Sequence, residues 1–247
     1  MSFKVVIPAR YGSQRLPGKP LREIAGKAMI LHVIDQARKT DAEEIIVATD
    51  HEEIYDLVDA YQAKCLMTSE SHRNGSERIT EVSNHLAWGA DQVVVNLQGD
   101  EPLMLPSLVN DVANLLIADK NAAIATLCTP IKSAEDFHNP NIVKVVYDQN
   151  NYAQYFSRSA IPFCRDDNSQ NEILGHRHIG LYAYRVKTLN ELLTLPETLH
   201  EKLEKLEQLR ALGHGMNIKI KLAEESPEHG VDTLDDLFSI EKKLLEN

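Results

Sequence analysis

Short runs of apolar, mostly β-branched residues alternate with longer stretches of helical periodicity through the first half of the chain. Near-continuous Val and Ile runs are typical of parallel strands whose two faces are both covered by helices. The pattern therefore predicts an α/β fold with a three-layer, mainly parallel sheet. The predicted strands are Lys4–Pro8, Glu44–Thr49, Cys65–Met67, Gln92–Leu97, Ala122–Pro130 and Ile142–Tyr147, and the predicted helices are Met29–Lys39, Glu52–Tyr61, Ser76–Ala87 and Ser107–Ala118.

The pattern changes in the second half of the chain. Two strand-like runs, Tyr152–Ile161 and His178–Arg185, flank a polar segment at 165–175, which predicts an antiparallel hairpin. We therefore expect one domain over residues 1–247, in which 150–195 forms a smaller β-containing lobe. The remaining predicted elements are a helix over Leu199–Leu212, a strand over Asn217–Ala223 and a helix that begins at Thr233 with an Asp236 capping partner.

The charge is distributed unevenly along the chain. The whole sequence has 26 basic and 37 acidic residues and a net charge of -11, yet residues 1–39 hold eight basic and two acidic residues. An acidic protein lacks the extended basic surface that nucleic acid requires, so we expect no nucleic-acid partner. A short basic segment within an acidic chain instead predicts one local anion site.

Hydropathy and cysteine content indicate the class of protein. The sequence has no run of 18 apolar residues, so we expect no membrane span. Three cysteines without a CxxC pair are typical of buried thiols in a reducing compartment. We therefore expect a cytoplasmic protein.

The segment that follows the first predicted strand is glycine-rich and basic. Gly12 and Gly18 allow backbone amides to approach phosphate oxygens, and Lys19 adds a point charge. The segment is not a Walker A loop, because Pro20 stands where a Ser or Thr would bind metal, and it lacks the GxGxxG dinucleotide pattern. Three bases directly after a strand favour a phosphate site over a merely solvated loop: Arg10, Arg15 and Lys19.

Two aspartates stand at positions that suit a divalent cation. Asp100 follows the predicted strand Gln92–Leu97, and ligands bind at the carboxyl ends of strands in open α/β sheets. A carboxylate beside a triphosphate is repulsive unless a hard cation such as Mg²⁺ lies between them. Asp100 also suits a turn, and Asp232 suits a helix N-terminus, where it would contribute about 0.3–1 kcal/mol. These residues alone leave the metal and structural roles open.

Nine sequence blocks follow one another from the first strand to the last helix: Pro8–Arg10, Ser13–Leu21, Ala48–Asp50, Gly75–Arg78, Val95–Pro102, Tyr155–Arg158, His178–Arg185, Leu206–Arg210 and Gly230–Thr233. Together they resemble the sugar-acid cytidylyltransferases, and the later blocks are most similar to the branch that acts on 3-deoxy-manno-octulosonate (Kdo). The resemblance implies the Rossmann-like fold of the nucleotide-diphospho-sugar transferases.

The resemblance also implies an activity. CTP and Kdo would be the substrates, Mg²⁺ the cofactor, and CMP-Kdo and pyrophosphate the products of direct in-line attack, for lipopolysaccharide biosynthesis. It further implies a homodimer in which 150–195 binds sugar and contributes to dimerisation. The alternatives are a cytidylyltransferase for 8-amino-Kdo or sialic acid and, more distantly, an NAD-dependent oxidoreductase or a non-catalytic nucleotide-binding module.

The same resemblance assigns roles to individual residues. Catalysis would involve Lys19, Arg10 and Asp100, and Mg²⁺ would be held by Asp100 and Asp232. Nucleotide contacts would come from Ala9, Arg10, Gly12, Ser13, Arg15, Lys19, Ser76 and Gln98. Arg73 departs from the family, which often has another polar residue there, but its loop is expected near the nucleotide, so we expect Arg73 to add a base or phosphate contact. Sugar contacts would come from Arg158, His178, Tyr184, Glu207 and Gln208.

The chemistry of three predicted sugar contacts either supports this role or offers a structural alternative to it. Arg158 suits the sugar carboxylate because a guanidinium binds a carboxylate through two parallel hydrogen bonds. Core packing remains the alternative for Tyr184, and a solvated helix face remains the alternative for Glu207.

Overall fold

The computed structural model describes residues 2–12, 16–165 and 173–246. Its strands are β1 (Phe3–Ala9), β2 (Glu23–Ile24), β3 (Lys27–Ala28), β4 (Glu44–Thr49), β5 (Lys64–Met67), β6 (Val93–Asn96), β7 (Ile124–Ile131), β8 (Lys144–Tyr147), β9 (Ala153–Ser157), β10 (Gly175–Arg185) and β11 (Ile218–Leu222). Its helices are α1 (Met29–Ala37), α2 (Glu52–Ala60), α3 (Gly75–His85), α4 (Pro106–Ala118), α5 (Ala134–His138), α6 (Val186–Thr194), α7 (Leu199–Glu204), α8 (Gln208–Gly213) and α9 (Leu234–Glu246).

A central sheet in the order β11-β7-β10-β6-β1-β4-β5 organises the molecule. Its neighbouring strands are parallel except for β10, which runs antiparallel to both β6 and β7. β8 and β9 extend this sheet as an antiparallel pair beside β10, and β2 and β3 form a separate two-stranded sheet. The predicted three-layer, mainly parallel α/β fold is confirmed.

Side chains on the two faces of the sheet enter two different cores. Val5 and Ile7 of β1 pack with residues of α1 and α4, whereas Val6 between them packs with residues of α3 and α6. All three are fully buried. Burial of a Val or Ile contributes about 1.5–3 kcal/mol, so continuous apolar strands stabilise a sheet that helices cover on both faces.

The antiparallel direction of β10 determines where the site lies. Tyr182 is opposite Asn96, the last residue of β6, so the earlier residues of β10 extend beyond the carboxyl end of β6. There they pair with the carboxyl half of β7, with His178 opposite Cys128. The first half of β10 therefore lies at the same sheet edge as the loops after β1 and β6, where ligands bind in α/β folds.

The predicted hairpin between Tyr152–Ile161 and His178–Arg185 is wrong. β9 pairs with β8, and β10 pairs with β7 and β6 over most of its length. A tight turn explains the difference: Asn151 donates its backbone N–H to the Asp148 carbonyl at 3.0 Å, and Asn151 has a positive φ of 60°. Such a turn joins adjacent antiparallel strands. Assignment of 150–195 to sugar binding and dimerisation stays a prediction.

The predicted single helix over Leu199–Leu212 is also wrong. Lys205 has a left-handed φ of 55°, which ends α7 before α8 begins at Gln208. The N-terminus of α9 follows the prediction, because Thr233 Oγ1 accepts from the Asp236 N–H and the Asp236 carboxylate accepts from the Thr233 N–H. The sequence patterns missed β2, β3, α5 and α6. In the described residues, helices of the length and apolarity that cross a membrane are absent.

Candidate active site

A cleft of about 510 Å³ opens at the carboxyl ends of β1 and β6. Its volume is in the range of ligand sites in proteins, which is about 300–1,000 Å³. Seven of the residues assigned from the sequence line it. The full lining is Pro8, Ala9, Arg10, Lys19, Pro20, His72, Arg73, Asn74, Gly75, Arg78, Gln98, Gly99, Asp100 and Asp232.

The basic loop after β1 is tied to the neighbouring strand β4. The Tyr11 backbone N–H donates to the Asp50 carboxylate at 3.1 Å, and the Tyr11 ring stacks on His51 with centroids 3.8 Å apart. Gly18 has a φ of 64°, a conformation that favours glycine, and it precedes a short 3-10 helix that begins at Lys19. These contacts direct Lys19 back over the end of the sheet.

A close backbone approach brings the Asp100 loop to the end of β1. A Cβ atom at Gly99 would lie 2.8 Å from the Pro8 carbonyl oxygen, which is closer than carbon and oxygen tolerate. Only glycine therefore fits here without a shift of the backbone. Its absence of a side chain lets Asp100 lie beside the basic loop of β1.

Lys19, Asp100 and Asp232 form one cluster. The Lys19 ammonium donates to Asp100 Oδ2 at 2.8 Å, to Asp232 Oδ1 at 3.1 Å and to the Val231 carbonyl at 2.7 Å. Burial lowers the pKa of Lys19, but the two carboxylates outweigh that effect and raise it above its usual value. In this structure Lys19, which we predicted to bind phosphate, thus lies between the two predicted metal ligands.

The two aspartates fit Mg²⁺. Both contact the same ammonium nitrogen, so Asp100 and Asp232 lie close enough to share a single cation. Both are partly exposed, which leaves room for further ligands. Nucleotide-bound Mg²⁺ takes one or two carboxylates and completes its shell with phosphate oxygens and water. The spacing in the sequence did not show this proximity; the fold creates it.

The N-terminus of α3 faces the same cleft. Asn74 caps it by accepting the Glu77 N–H at 2.9 Å, and Gly75 lines the cleft wall. Arg78, in the first turns, is almost fully buried and donates to Asp50 at 2.7 Å. A helix N-terminus and a buried guanidinium both favour an anion. We did not assign Asn74 or Arg78 from the sequence, although the Asn-x-x-Glu capping pattern at 74–77 was a usable signal.

The other predicted nucleotide residues differ in their surroundings. Arg73 lines the cleft, yet it is 70 % exposed and pairs with Glu77 at 2.9 Å. Gln98 lines the cleft together with Gly99 and Asp100. Gly12 and Ser76 are not among the described residues that line the cleft. Ser13 and Arg15 lie outside the described residues.

Three of the predicted sugar residues, His178, Tyr184 and Glu207, belong to a partly buried polar group beside Ser76 of α3. The His178 ring lies 5.2 Å from that of Tyr182, which lies 5.8 Å from that of Tyr184. Burial, followed by the charge of Arg177, lowers the pKa of His178 to about 3, so its imidazole is neutral near pH 7. Burial, followed by Glu207, raises the pKa of Tyr184. Tyr184 therefore packs in the core and also faces this polar group.

Glu207 does not lie on a solvated helix face. It is the residue before α8, and its carboxylate interacts with the Ser76 hydroxyl, which also interacts with Tyr184. Burial is the main cause that raises the pKa of Glu207. Ser76 therefore connects the cleft wall at Gly75 with the group that contains His178 and Tyr184. Gln208 follows as the first residue of α8 and is partly exposed.

Arg158 lies at the end of β9, where three groups fix its position. Its Nε donates to the Glu204 carbonyl at 2.8 Å and its Nη1 donates to the Pro140 carbonyl at 3.0 Å. The fully buried Lys144 ammonium donates to the Arg158 carbonyl at 2.6 Å. The guanidinium is therefore held in one direction by backbone oxygens, which reduces the entropy that it would lose on binding an anion.

Comparison with known proteins gives a consistent result. A family model described as cytidylyltransferase matches residues 4–218. A 3-deoxy-manno-octulosonate cytidylyltransferase of Thioalkalivibrio sulfidiphilus is 48% identical over 248 residues and covers 99% of both chains. A protein of the same name from Idiomarina loihiensis is 49% identical over 243 residues, which is 96% of each chain.

Solved structures extend the comparison to the fold. CMP:2-keto-3-deoxy-manno-octonic acid synthetase complexed with CTP superimposes with a TM-score of 0.93 at 39% identity, covering 100% of this chain and 99% of the other. A cytidylyltransferase from Leptospira borgpetersenii superimposes with a TM-score of 0.62 at 15% identity, which indicates a shared fold only.

Proposed function

The chain belongs to the cytidylyltransferase family, and from this membership we propose that it transfers CMP from CTP to the anomeric hydroxyl of Kdo, with release of pyrophosphate. The observation that carries the proposal is the single cleft that joins the basic loop of β1, the N-terminus of α3 and the pair Asp100 and Asp232. This arrangement supports the proposal because a triphosphate with a divalent cation needs both cationic groups and carboxylates within one cleft.

The nucleotide would lie along this cleft. Arg10 and the N-terminus of α3 both line the cleft and supply positive charge, and Arg78 pairs with Asp50, which accepts from the backbone of the β1 loop at Tyr11. Nucleotidyl transfer needs mainly positioning and neutralisation of charge on the phosphates and the departing pyrophosphate. The residues that line the cleft supply both, so direct in-line attack of the sugar hydroxyl is the mechanism that we propose.

Asp100 and Asp232 would hold Mg²⁺, which when bound screens the triphosphate and polarises its phosphoryl oxygens. Lys19 then has to leave the position between the two aspartates, because two cations in contact repel each other. Its ammonium lies on the loop of β1, so a rotation of the side chain directs it to the phosphates. In this structure Lys19 balances the two carboxylates, and with substrate bound it would contact the phosphates instead.

The sugar acid would lie beside α3. Arg158 is the residue that we assign to its carboxylate, because a fixed guanidinium provides a charge and a fork of donors. His178 Nε2 lies 3.0 Å from Thr126 Oγ1, which leaves Nδ1 of the neutral ring for one sugar hydroxyl, and the Glu207 carboxylate offers acceptors. His178 lies in the first half of β10 and Glu207 directly precedes α8. Glu207 contacts Ser76, which is next to Gly75 in the cleft wall.

Three further features belong to the proposal. The cytoplasm is the location that we expect from the cysteine content and from the need for CTP, and lipopolysaccharide biosynthesis is the expected use of CMP-Kdo. A homodimer is expected from the family resemblance. Leu199 and Leu203 lie on one face of α7 and are 68 % and 72 % exposed, so they are candidates for its interface. Light scattering of the purified protein tests the dimer.

A pyrophosphate-release assay tests the activity. We expect release with CTP, Mg²⁺ and Kdo, and little release when UTP or ATP replaces CTP. Parallel reactions with 8-amino-Kdo and sialic acid establish the sugar acid. Release with sialic acid but not with Kdo contradicts the proposed substrate, and absence of release with every pair contradicts the proposed activity.

A further inference from the structure

The segment that carries Asp232 has no regular secondary structure. It runs from the end of β11 at Leu222 to the start of α9 at Leu234. Near its end, the Val231 N–H donates to the Asp100 carbonyl at 2.9 Å, and the Asp232 N–H donates to Asp236 at 3.0 Å. A loop with few bonds of its own needs contacts to other elements to hold a side chain to within half an ångström or so of a working position.

Arg177 of β10 supplies such contacts at the middle of this segment. Its Nη2 donates to the Pro227 carbonyl at 3.1 Å, and its Nη1 lies 3.2 Å from His229 Nε2. The guanidinium of Arg177 therefore contacts both Pro227 and His229 and connects this segment to β10. The fork geometry of arginine makes this possible, since the nitrogens are fixed relative to each other.

Gly230 lies between the Arg177 contacts at Pro227 and His229 and the predicted metal ligand Asp232, and it packs directly against residues 100–101. A Cβ atom at Gly230 would be 3.0 Å from Glu101 Oε1 and 3.1 Å from the Asp100 carbonyl oxygen. Burial lowers the pKa of the Arg177 guanidinium. Burial, followed by the charge of Asp100, raises the pKa of Glu101 to about 8, so this carboxyl group is mostly protonated near pH 7. Residues 100–101 therefore pack against Gly230, while Arg177 holds Pro227 and His229 just before it. Asp136 and Glu228 add negative charge near the guanidinium.

We propose that Arg177 is a positioning residue that sets Asp232 against Asp100 by fastening residues 227–229 to β10. The inference rests on the proposed function, in which both aspartates hold Mg²⁺. Arg177 immediately precedes His178, so the same strand that presents a sugar contact also fixes the second metal ligand.

The variant Arg177→Met tests this inference, with Arg38→Met as the matched control. Arg38 also donates through its guanidinium to two backbone carbonyls, those of Tyr61 and Gln62, but it lies outside the cleft. Removal of a residue that orients a metal ligand weakens metal affinity about 10–100-fold. We expect Arg177→Met to raise the Mg²⁺ concentration for half-maximal activity at least about tenfold, with kcat at saturating Mg²⁺ changed much less. Arg38→Met should match the wild type.

Two readouts do not depend on turnover. Mn²⁺ affinity, measured by electron paramagnetic resonance on enzyme with CTP and no sugar acid, should fall by the same factor in Arg177→Met. Amide hydrogen exchange over residues 224–233 should accelerate in that variant and stay unchanged in Arg38→Met. If Arg177→Met does not fold, His229→Ala removes one of the two contacts and should give a smaller shift in both readouts. Unchanged Mn²⁺ affinity or unchanged exchange overturns the proposal.

The variant Asp232→Asn separates this inference from the proposed function. If Asp232→Asn binds Mn²⁺ as tightly as the wild type, Asp232 is not a metal ligand and the premise fails. If Asp232→Asn loses affinity while Arg177→Met keeps it, the premise holds and the role of Arg177 is wrong. Hydrogen exchange of the loop reports on the Arg177 contacts in either case.

Discussion

His178 is the residue at which burial has the clearest energetic consequence. Its Nε2 lies 3.0 Å from Thr126 Oγ1, and its ring meets Phe156 edge to face with centroids 5.0 Å apart. The folded protein holds this imidazole neutral, with a pKa of about 3 against an ordinary value of 6.5. The variant His178→Gln keeps a polar side chain at this position and removes the titration.

The sign and size of the effect follow from proton linkage. Below pH 6.5 the unfolded chain binds a proton at His178, whereas the folded protein does not until about pH 3. The unfolded state is therefore favoured as the pH falls, and stability is lost by about 1.4 kcal/mol per pH unit below 6.5. Between pH 7 and pH 5 this single group should cost the wild type about 2 kcal/mol.

Urea unfolding at pH 7 and pH 5 measures this cost. The stability of His178→Gln relative to the wild type should rise by about 2 kcal/mol between the two pH values, whatever the cost of the substitution at pH 7. His85→Gln, at an exposed position, is the control and should follow the pH dependence of the wild type. If His178→Gln has the same pH dependence as the wild type, the imidazole is not held neutral and the argument from burial is refuted.

Three other predictions concern the cleft. Asp100→Asn should abolish turnover. Its unfolding midpoint should stay near that of the wild type, because Asp100 is partly exposed. Full pyrophosphate release by this variant would refute the metal assignment. Lys19→Gln should bind Mn²⁺ several-fold more tightly than the wild type in the absence of nucleotide, because it lacks the ammonium that contacts Asp100 and Asp232. Calorimetry measures this affinity, and weaker binding by the variant would contradict the prediction. Gly99→Ala should lower stability by about 1–3 kcal/mol through a clash with the carbonyl at the end of β1. Gly89→Ala, where an added methyl meets open space in the described structure, should be near neutral in the same urea titration.

The parallel half of the fold was predictable because its strands are buried on both faces. Val5, Val6 and Ile7 are apolar without alternation, and only a sheet with helices on both sides buries them all. From that architecture, the position of Asp100 at the ligand edge follows directly. The proximity of Asp232 to Asp100 does not follow, because it depends on how the segment after β11 crosses the sheet edge.

In the second half of the chain, the hydrophobic pattern did not predict which strands pair or where a helix ends. The pairing of β9 with β8 depends on a turn at Asn151, and the division of the predicted helix depends on the left-handed conformation of Lys205; neither residue type requires that conformation. Polar residues that pack inside the protein are even harder to predict, because the sequence around Glu207 looks the same as that of a solvent-exposed glutamate on a helix. Arg177 contacts residues 50 and 52 positions away in the sequence, so its partners can be identified only from the folded chain.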